Sequence, residues 1–238
     1  MHFVAMRSLA APFLALVALI AAPAQAQRHV TVIVAEWVEA EGAGRFVAGR
    51  GPALPEGEAF GPFRVIGDDR AALVDATDAA SPRQFAAMLA RHPGIATIEM
   101  VECPGTDDDT ANLALGRMIR ERGIATHVPA GGSVRSGAVE LFLAGATRRI
   151  DDGAEFAVHS WRDSDGREAG DFDVDAAPNR AYIEYYREMG LADAQAFYAM
   201  TNSVPNEGAR WLTAAEMREW IGSKAPSIAY LDLGAGFP

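Results

Sequence analysis

The sequence predicts an α/β domain, with a mostly parallel sheet flanked by helices. Short apolar runs of strand length alternate with amphipathic helical segments from Phe63 onward. The order strand, helix, strand, helix, strand, at short spacing, argues for right-handed βαβ units. Pro104-Gly105 and the Gly131-Gly132 turn each follow the end of an apolar strand. In such sheets ligand sites lie beyond the carboxyl ends of the strands, so the two turns are expected to converge on one crevice.

The elements follow from local chemistry. Arg7, the apolar run Leu9 to Ala22 and Ala24-Gln25-Ala26 fit a secretory signal peptide cut after Ala26. The expected domains are therefore a signal over 1–26 and a single α/β domain over 27–238, exported to the periplasm or secreted. Val30 to Ala35 has the two-residue period of a strand, and glycine and proline then mark a loop or hairpin from Gly42 to Pro62. Phe63 to Ile66 and Ala71 to Val74 read as strands around the Gly67-Asp68-Asp69 turn. Ser81-Pro82 is an N-cap and first-turn proline for a helix with Phe85, Met88 and Leu89 on its buried stripe. Ile95 to Val101 is the next strand. Asp107-Asp108-Asp109-Thr110 opens a helix that Gly123 closes, and Ile124 to Val128 is a further strand.

Beyond His159, the stretch Trp161 to Pro178 is acidic and polar and reads as a solvated loop flanking any site there. Its Asp163-Ser-Asp165-Gly lacks the third acid and closing glutamate of a calcium loop. Arg180 to Met189 and Ala192 to Met200 read as helices in which Tyr182, Tyr186, Phe197 and Met200 are packing residues. Thr213 and Glu216 form a capping box for a helix burying Met217, Trp220 and Ile221, and Ile228 to Leu233 carries a short strand signal.

Composition narrows the function. The formal charge is −11, and loss of Arg7 makes the mature chain one unit more negative. So acidic a chain is a poor candidate for binding nucleic acid or anionic lipid, which require basic patches. The single cysteine, Cys103, forms no internal disulfide and reads as a small buried residue. Cysteine and histidine spacings match no zinc site, and no Gly-x-Gly-x-x-Gly or Walker motif implies a nucleotide, so no cofactor is expected.

The chemistry concentrates between Gly131 and His159. A glycine turn leads into Ser136, a small apolar helical run follows up to Gly145, and Glu155 to His159 reads as a strand ending in histidine. A serine at a helix mouth with a histidine at a nearby strand end is a candidate nucleophile and base. Ser133 lacks the helix that follows Ser136. His127 falls within a strand before the turn and reads as an exposed structural histidine. The lone lysine, Lys224, lies in a C-terminal turn, which argues against a Ser–Lys pair, and Gly-x-Ser-x-Gly is absent around Ser136.

Pro104-Gly105 after an apolar strand, an amphipathic helix, a second strand, then Ser136-Gly-Ala with Leu-Phe-Leu-Ala-Gly-Ala and a Val-His strand end resembles the Clp protease proteolytic subunit, and more closely its secreted bacterial relatives. The resemblance spans roughly Phe63 to Ile221. It implies the fold of repeated ββα units shared with crotonases, a serine peptidase activity, Ser136 as nucleophile and His159 as base. It also implies oxyanion donors at the backbone N–H groups of Thr106 and Gly137, with Gly105 beside them. Two positions depart from the pattern. Thr106 replaces a glycine, and Ala209 stands where the third, acidic member is expected. Asn206 and Glu207, just upstream, are the residues left to orient His159. Without an orienting group an imidazole loses its tautomer control.

The expected function is an exported Clp-like serine hydrolase acting on a peptide or protein substrate, with no nucleic acid and no ATPase partner, ATP being absent outside the cytoplasm. Family members stack into rings, so the resemblance also implies a homo-oligomer. The alternative is a catalytically silent Clp-like binding or assembly module. Acyl-CoA chemistry, known on the same fold, is disfavoured by the Asp107 to Asp109 trio beside the proposed oxyanion site.

Overall fold

Three short antiparallel strands begin the described part of the chain: β1 (Glu58–Phe60), β2 (Phe63–Val65) and β3 (Arg70–Leu73), with Phe63 opposite Leu73. The structure, a computed structural model, describes residues 53–222. The signal peptide, the Val30–Ala35 strand, the loop segment before residue 53, the Lys224 turn and the Ile228–Leu233 strand lie outside the described residues.

The first helix, α1 (Ser81–Arg91), starts one residue earlier than its proline signal suggests. Ala80 is its N-cap, and Ser81 Oγ instead donates to Asp78 Oδ1 at 2.9 Å. Next come β4 (Thr97–Met100), β5 (Glu102–Cys103) and α2 (Asp109–Glu121), whose Asp108 side chain caps Ala111 N–H at 2.9 Å. Gly123, at φ 65, follows the C-cap as the aspartate-rich start and glycine stop predict. Then follow β6 (Ala125–Val128), β7 (Ser133–Arg135), α3 (Ala138–Ala144), β8 (Arg148–Ile150) and β9 (Glu155–Val158). The chain continues through α4 (Ala177–Glu188), α5 (Ala194–Thr201), β10 (Arg210–Thr213) and α6 (Ala214–Trp220). The predicted capping box is present: Thr213 and Glu216 satisfy each other's backbone N–H groups.

The α/β class holds, with mostly parallel pairing flanked by helices, but the single sheet expected from the sequence is two. One has the order β1-β2-β3-β4-β6-β8, the other β10-β9-β7-β5. Three successive units, β4-β5-α2, β6-β7-α3 and β8-β9-α4, each send their first strand to the larger sheet and their second to the smaller. Within each sheet these strands pair in parallel. The strand β10 closes the small sheet antiparallel to β9, with Trp211 opposite Ala157.

Strands β7, β8 and β10 were not legible because each is only three or four residues long and carries arginine. In β7 all three residues are buried. Arg135 is tolerated there because Glu102 accepts from Nη2 at 2.6 Å and Ser133 Oγ from Nη1 at 2.5 Å, while Ser133 Oγ donates to Glu155 Oε1 at 2.7 Å. Unpartnered, a guanidinium in that position would be prohibitive. This chain of polar groups ties β5, β7 and β9 together. It also assigns Ser133 a structural role. Cys103 is likewise fully buried, and burial pushes its thiol far above the usual range.

Ser133→Ala should lower the unfolding free energy by about 1–3 kcal/mol, since it strips a buried hydroxyl from Arg135 and Glu155. Urea titration reads this directly; an unchanged midpoint would contradict the role assigned to the network.

Candidate active site

In the small sheet the parallel pairing of β5, β7 and β9 is in register, with Cys103 beside Val134 and Val134 beside Phe156. Chains leaving the carboxyl ends of these adjacent strands are held near one another, because neighbouring strands lie about 4.8 Å apart. The segments that leave are Pro104-Gly105-Thr106, Ser136-Gly137 and His159. Ser136 N–H donates to Ala157 O at 2.9 Å, which fixes the serine two residues from His159 along the partner strand.

Ser136 is the one non-glycine residue with positive φ among those described, at 50°. A left-handed conformation at a serine costs on the order of 1 kcal/mol and persists only where the surroundings over-determine it. They do so here. A Cβ built on Gly105, itself at φ +137, would lie 2.9 Å from Ser136 Cβ and 3.3 Å from its Oγ. Gly105 therefore serves as the bare backbone against which the serine packs.

The second contact between the turns is Thr106 against Gly137, where a Cβ on the glycine would meet Thr106 Cγ2 at 2.4 Å. Thr106 is outside the positive-φ region, so its Cβ brings no backbone strain. Its position is set by a parallel bridge to Thr77, in which Gly105 O accepts from Thr77 N–H at 3.0 Å and Asp107 N–H donates to Thr77 O at 2.8 Å. That bridge uses the groups on either side of Thr106 and leaves its own N–H out. Neither the Thr106 nor the Gly137 N–H has a protein acceptor among the described residues. Two free amide hydrogens beside a serine hydroxyl are the donor set an oxyanion requires. Asn112, 2% exposed and invisible to the sequence reading, locks the pair. It accepts from Thr77 Oγ1 at 2.9 Å and donates to Gly137 O at 2.6 Å.

His159 Nδ1 lies 2.9 Å from the carbonyl oxygen of Ser160. A carbonyl only accepts, so Nδ1 carries the proton and Nε2 is left with a lone pair. Asn206 Nδ2 donates to the same carbonyl at 2.9 Å, and sharing that acceptor brings it 3.2 Å from Nδ1. Of the two candidates for a third member, Asn206 thus reaches the histidine, while Glu207 turns away to pair with Arg162. The loop carrying Asn206 is pinned by Ser160 N–H to Val204 O at 2.9 Å and by Asn206 N–H to Glu168 Oε1 at 3.0 Å. Arg210 pairs with Val158, so Ala209 stands one step further, level with His159, offering only a methyl group.

Ser136, Gly137, Thr106, His159 and Asn206 line one cavity of about 570 Å³. Trp161 and Arg162 from the acidic loop wall it, as that loop's position predicts. Tyr182 and Tyr186 pack in the core as expected and also line this cavity. Nor is His127 exposed as expected. It is 7% exposed, with Nε2 3.0 Å from Asp151 Oδ2, in the large sheet.

Two acids in the cavity were not singled out individually. Glu140 is 7% exposed, and Tyr186 Oη donates to its Oε1 at 2.5 Å. Burial, with a smaller push from Asp109, raises its carboxyl to about 7 against the pull of that hydrogen bond and one from its own backbone N–H. Asp109 lines the cavity as an exposed residue; desolvation raises its carboxyl, while the Tyr182 hydroxyl pulls it down.

No protein-family model matches the chain, and no curated protein matches it. Among solved structures it is similar to the membrane-bound stomatin-specific protease 1510-N, as a lysine-to-alanine mutant in complex with a substrate peptide. The identity is 15%, the TM-score 0.43, and 66% of this chain and 74% of that chain are covered. A serine-to-alanine mutant of the same protease gives 14% identity and a TM-score of 0.45, with 63% and 74% covered. Likeness at this level assigns no role to a residue, and the chemistry rests on the geometry above.

Glu140 holds a proton in the folded state up to about pH 7, whereas an unfolded glutamate releases it near 4.5. The folded state therefore binds more protons between these values, and stability falls as pH rises through them, by at most roughly 3 kcal/mol. Glu140→Gln should flatten that slope in urea melts taken from pH 5 to pH 8; an unaltered slope would refute the assignment.

Proposed function

We propose that the chain is a serine hydrolase of the Clp-peptidase type that cleaves peptide bonds. The observation that carries this is the convergence of a backbone-strained serine, a histidine with its tautomer set and two free amide hydrogens at one end of the β5-β7-β9 sheet. Ser136 Oγ would attack the peptide carbonyl carbon as its proton passes to His159 Nε2. The Thr106 and Gly137 N–H groups would hold the negative oxygen of the tetrahedral intermediate. His159 then gives the proton to the leaving amine, leaving an acyl-serine. Water attacks the ester, its proton again taken by His159, and collapse releases the acid and restores the hydroxyl.

In this reading Ser160 O does what a carboxylate does elsewhere: it holds Nδ1–H and hence the ring. It does so as a neutral dipole, so it stabilises the imidazolium less, and a modest rate follows. Asn206 is a positioning residue acting through Ser160 O. A homo-oligomeric state, export through the 1–26 signal and the lack of an ATPase partner belong to the same proposal. Asp107 and Asp109 in the cavity argue against phosphate-bearing substrates such as acyl-CoA.

The competing reading is a catalytically silent Clp-like binding module. Its support is that the group facing Nδ1 is a neutral carbonyl and that Ala209 stands level with His159.

A fluorophosphonate probe should label folded wild-type protein and fail on Ser136→Ala. Label surviving that change removes Ser136 from the role, and no label on the wild type decides for the silent module. His159→Ala should slow labelling by about 10²-fold or more. Asn206→Ala should slow turnover by up to about 100-fold with KM little changed; equal activity would show that the ring needs no help from Asn206.

A further inference from the structure

Glu140 lies four residues after Ser136, about one helical turn away, and both line the same cavity. Its Oε1 accepts from Tyr186 and its own backbone N–H also bonds the carboxyl, but among the described residues no cation pairs with it. A carboxylate more than nine-tenths buried beside the nucleophile with no counter-charge is costly in its ionised form unless a ligand supplies one. The remaining walls point to the same kind of ligand. Asp107 and Asp109 face the cavity from the start of α2, and Tyr182 and Tyr186 face it from α4. Past the end of β9, His159 is committed to Ser160 O, and Arg162 is neutralised by Glu207. From α5 comes the neutral Thr201. Acid is therefore in excess, and the two tyrosines place their hydroxyls on those acids.

We infer that this cavity binds the basic side chain, arginine or lysine, of the residue whose carbonyl Ser136 attacks, with Glu140 and Asp109 as its counter-charges. The inference rests on the hydrolase reading above. An acid at the base of the side-chain pocket selects basic residues by pairing a charge that neutral side chains leave unmatched. The raised carboxyl of Glu140 fits an empty site of this kind: the acid is held half-protonated near neutral pH, and an arriving cation draws it to the charged form, releasing a proton.

The test uses diphenyl phosphonates carrying an arginine or a leucine side chain next to phosphorus. Ser136 Oγ bonds to phosphorus, phenoxide leaves, and the serine proton goes to His159. The arginine reagent should label the wild-type protein at least about tenfold faster than the leucine reagent, and the ratio should rise between pH 6 and pH 8 as Glu140 ionises. Glu140→Gln should cut that ratio by about tenfold. Should that variant fold poorly, Asp109→Asn, on the accessible wall, should lower the ratio in the same sense. A wild-type ratio at or below one, with the side-chain-free fluorophosphonate still labelling Ser136, overturns this inference and leaves the hydrolase standing. A ratio that neither variant moves overturns it too. No labelling by any of the three reagents removes both readings.

Discussion

The site depends on the parallel register of three very short strands. The strand β5 has only two residues and β7 three, so backbone pairing alone holds them weakly. What anchors them is the buried run Glu102–Arg135–Ser133–Glu155, which crosses from β5 through β7 to β9. A one-residue slip of β7 would turn Arg135 toward the other face and strand its charge. The same slip would carry Ser136 away from Ala157 O. Charge pairing between the strands and placement of the serine at their carboxyl end are one constraint.

At the carboxyl end of the sheet, the order is set by backbone groups more than by side chains. Gly105 admits Ser136 by having no Cβ, and Thr77 takes up the groups flanking Thr106 so that its N–H remains free. Asn112 ties the two turns through its amide, and Ser160 O holds the imidazole. Such groups are neutral dipoles fixed by the fold, and they need no reorganisation when charge develops next to them. The acids Asp109 and Glu140 lie in the same cavity, and desolvation raises the carboxyls of both. Among the described residues no helix is long and apolar enough to cross a membrane.

Much of the fold was legible because the signals are local. Asp108 and Gly123 bound α2, Thr213 and Glu216 start α6, and the turn at Gly67-Asp68-Asp69 separates β2 from β3. Each is a matter of one helical turn or one loop, where nearby residues decide the outcome. The strand β7 escaped notice because its buried Arg135 is made acceptable by a partner distant in sequence, Glu102. Asn112 and Thr77 carried no signal at all, since a buried asparagine in a helix and a threonine in a loop are distinguished only by what they touch.

By itself the sequence determined the alternation of strands and helices, the excess of negative charge, and which serine and histidine sit at the ends of elements. These follow from periodicity, capping and composition, which are properties of neighbouring residues. Only the tertiary structure decided that the strands divide between two sheets, that Asn206 and not Glu207 approaches His159, and that Glu140 is enclosed beside Ser136. Those outcomes depend on long-range pairing and on the exclusion of water, and neither is written in any local stretch of the chain.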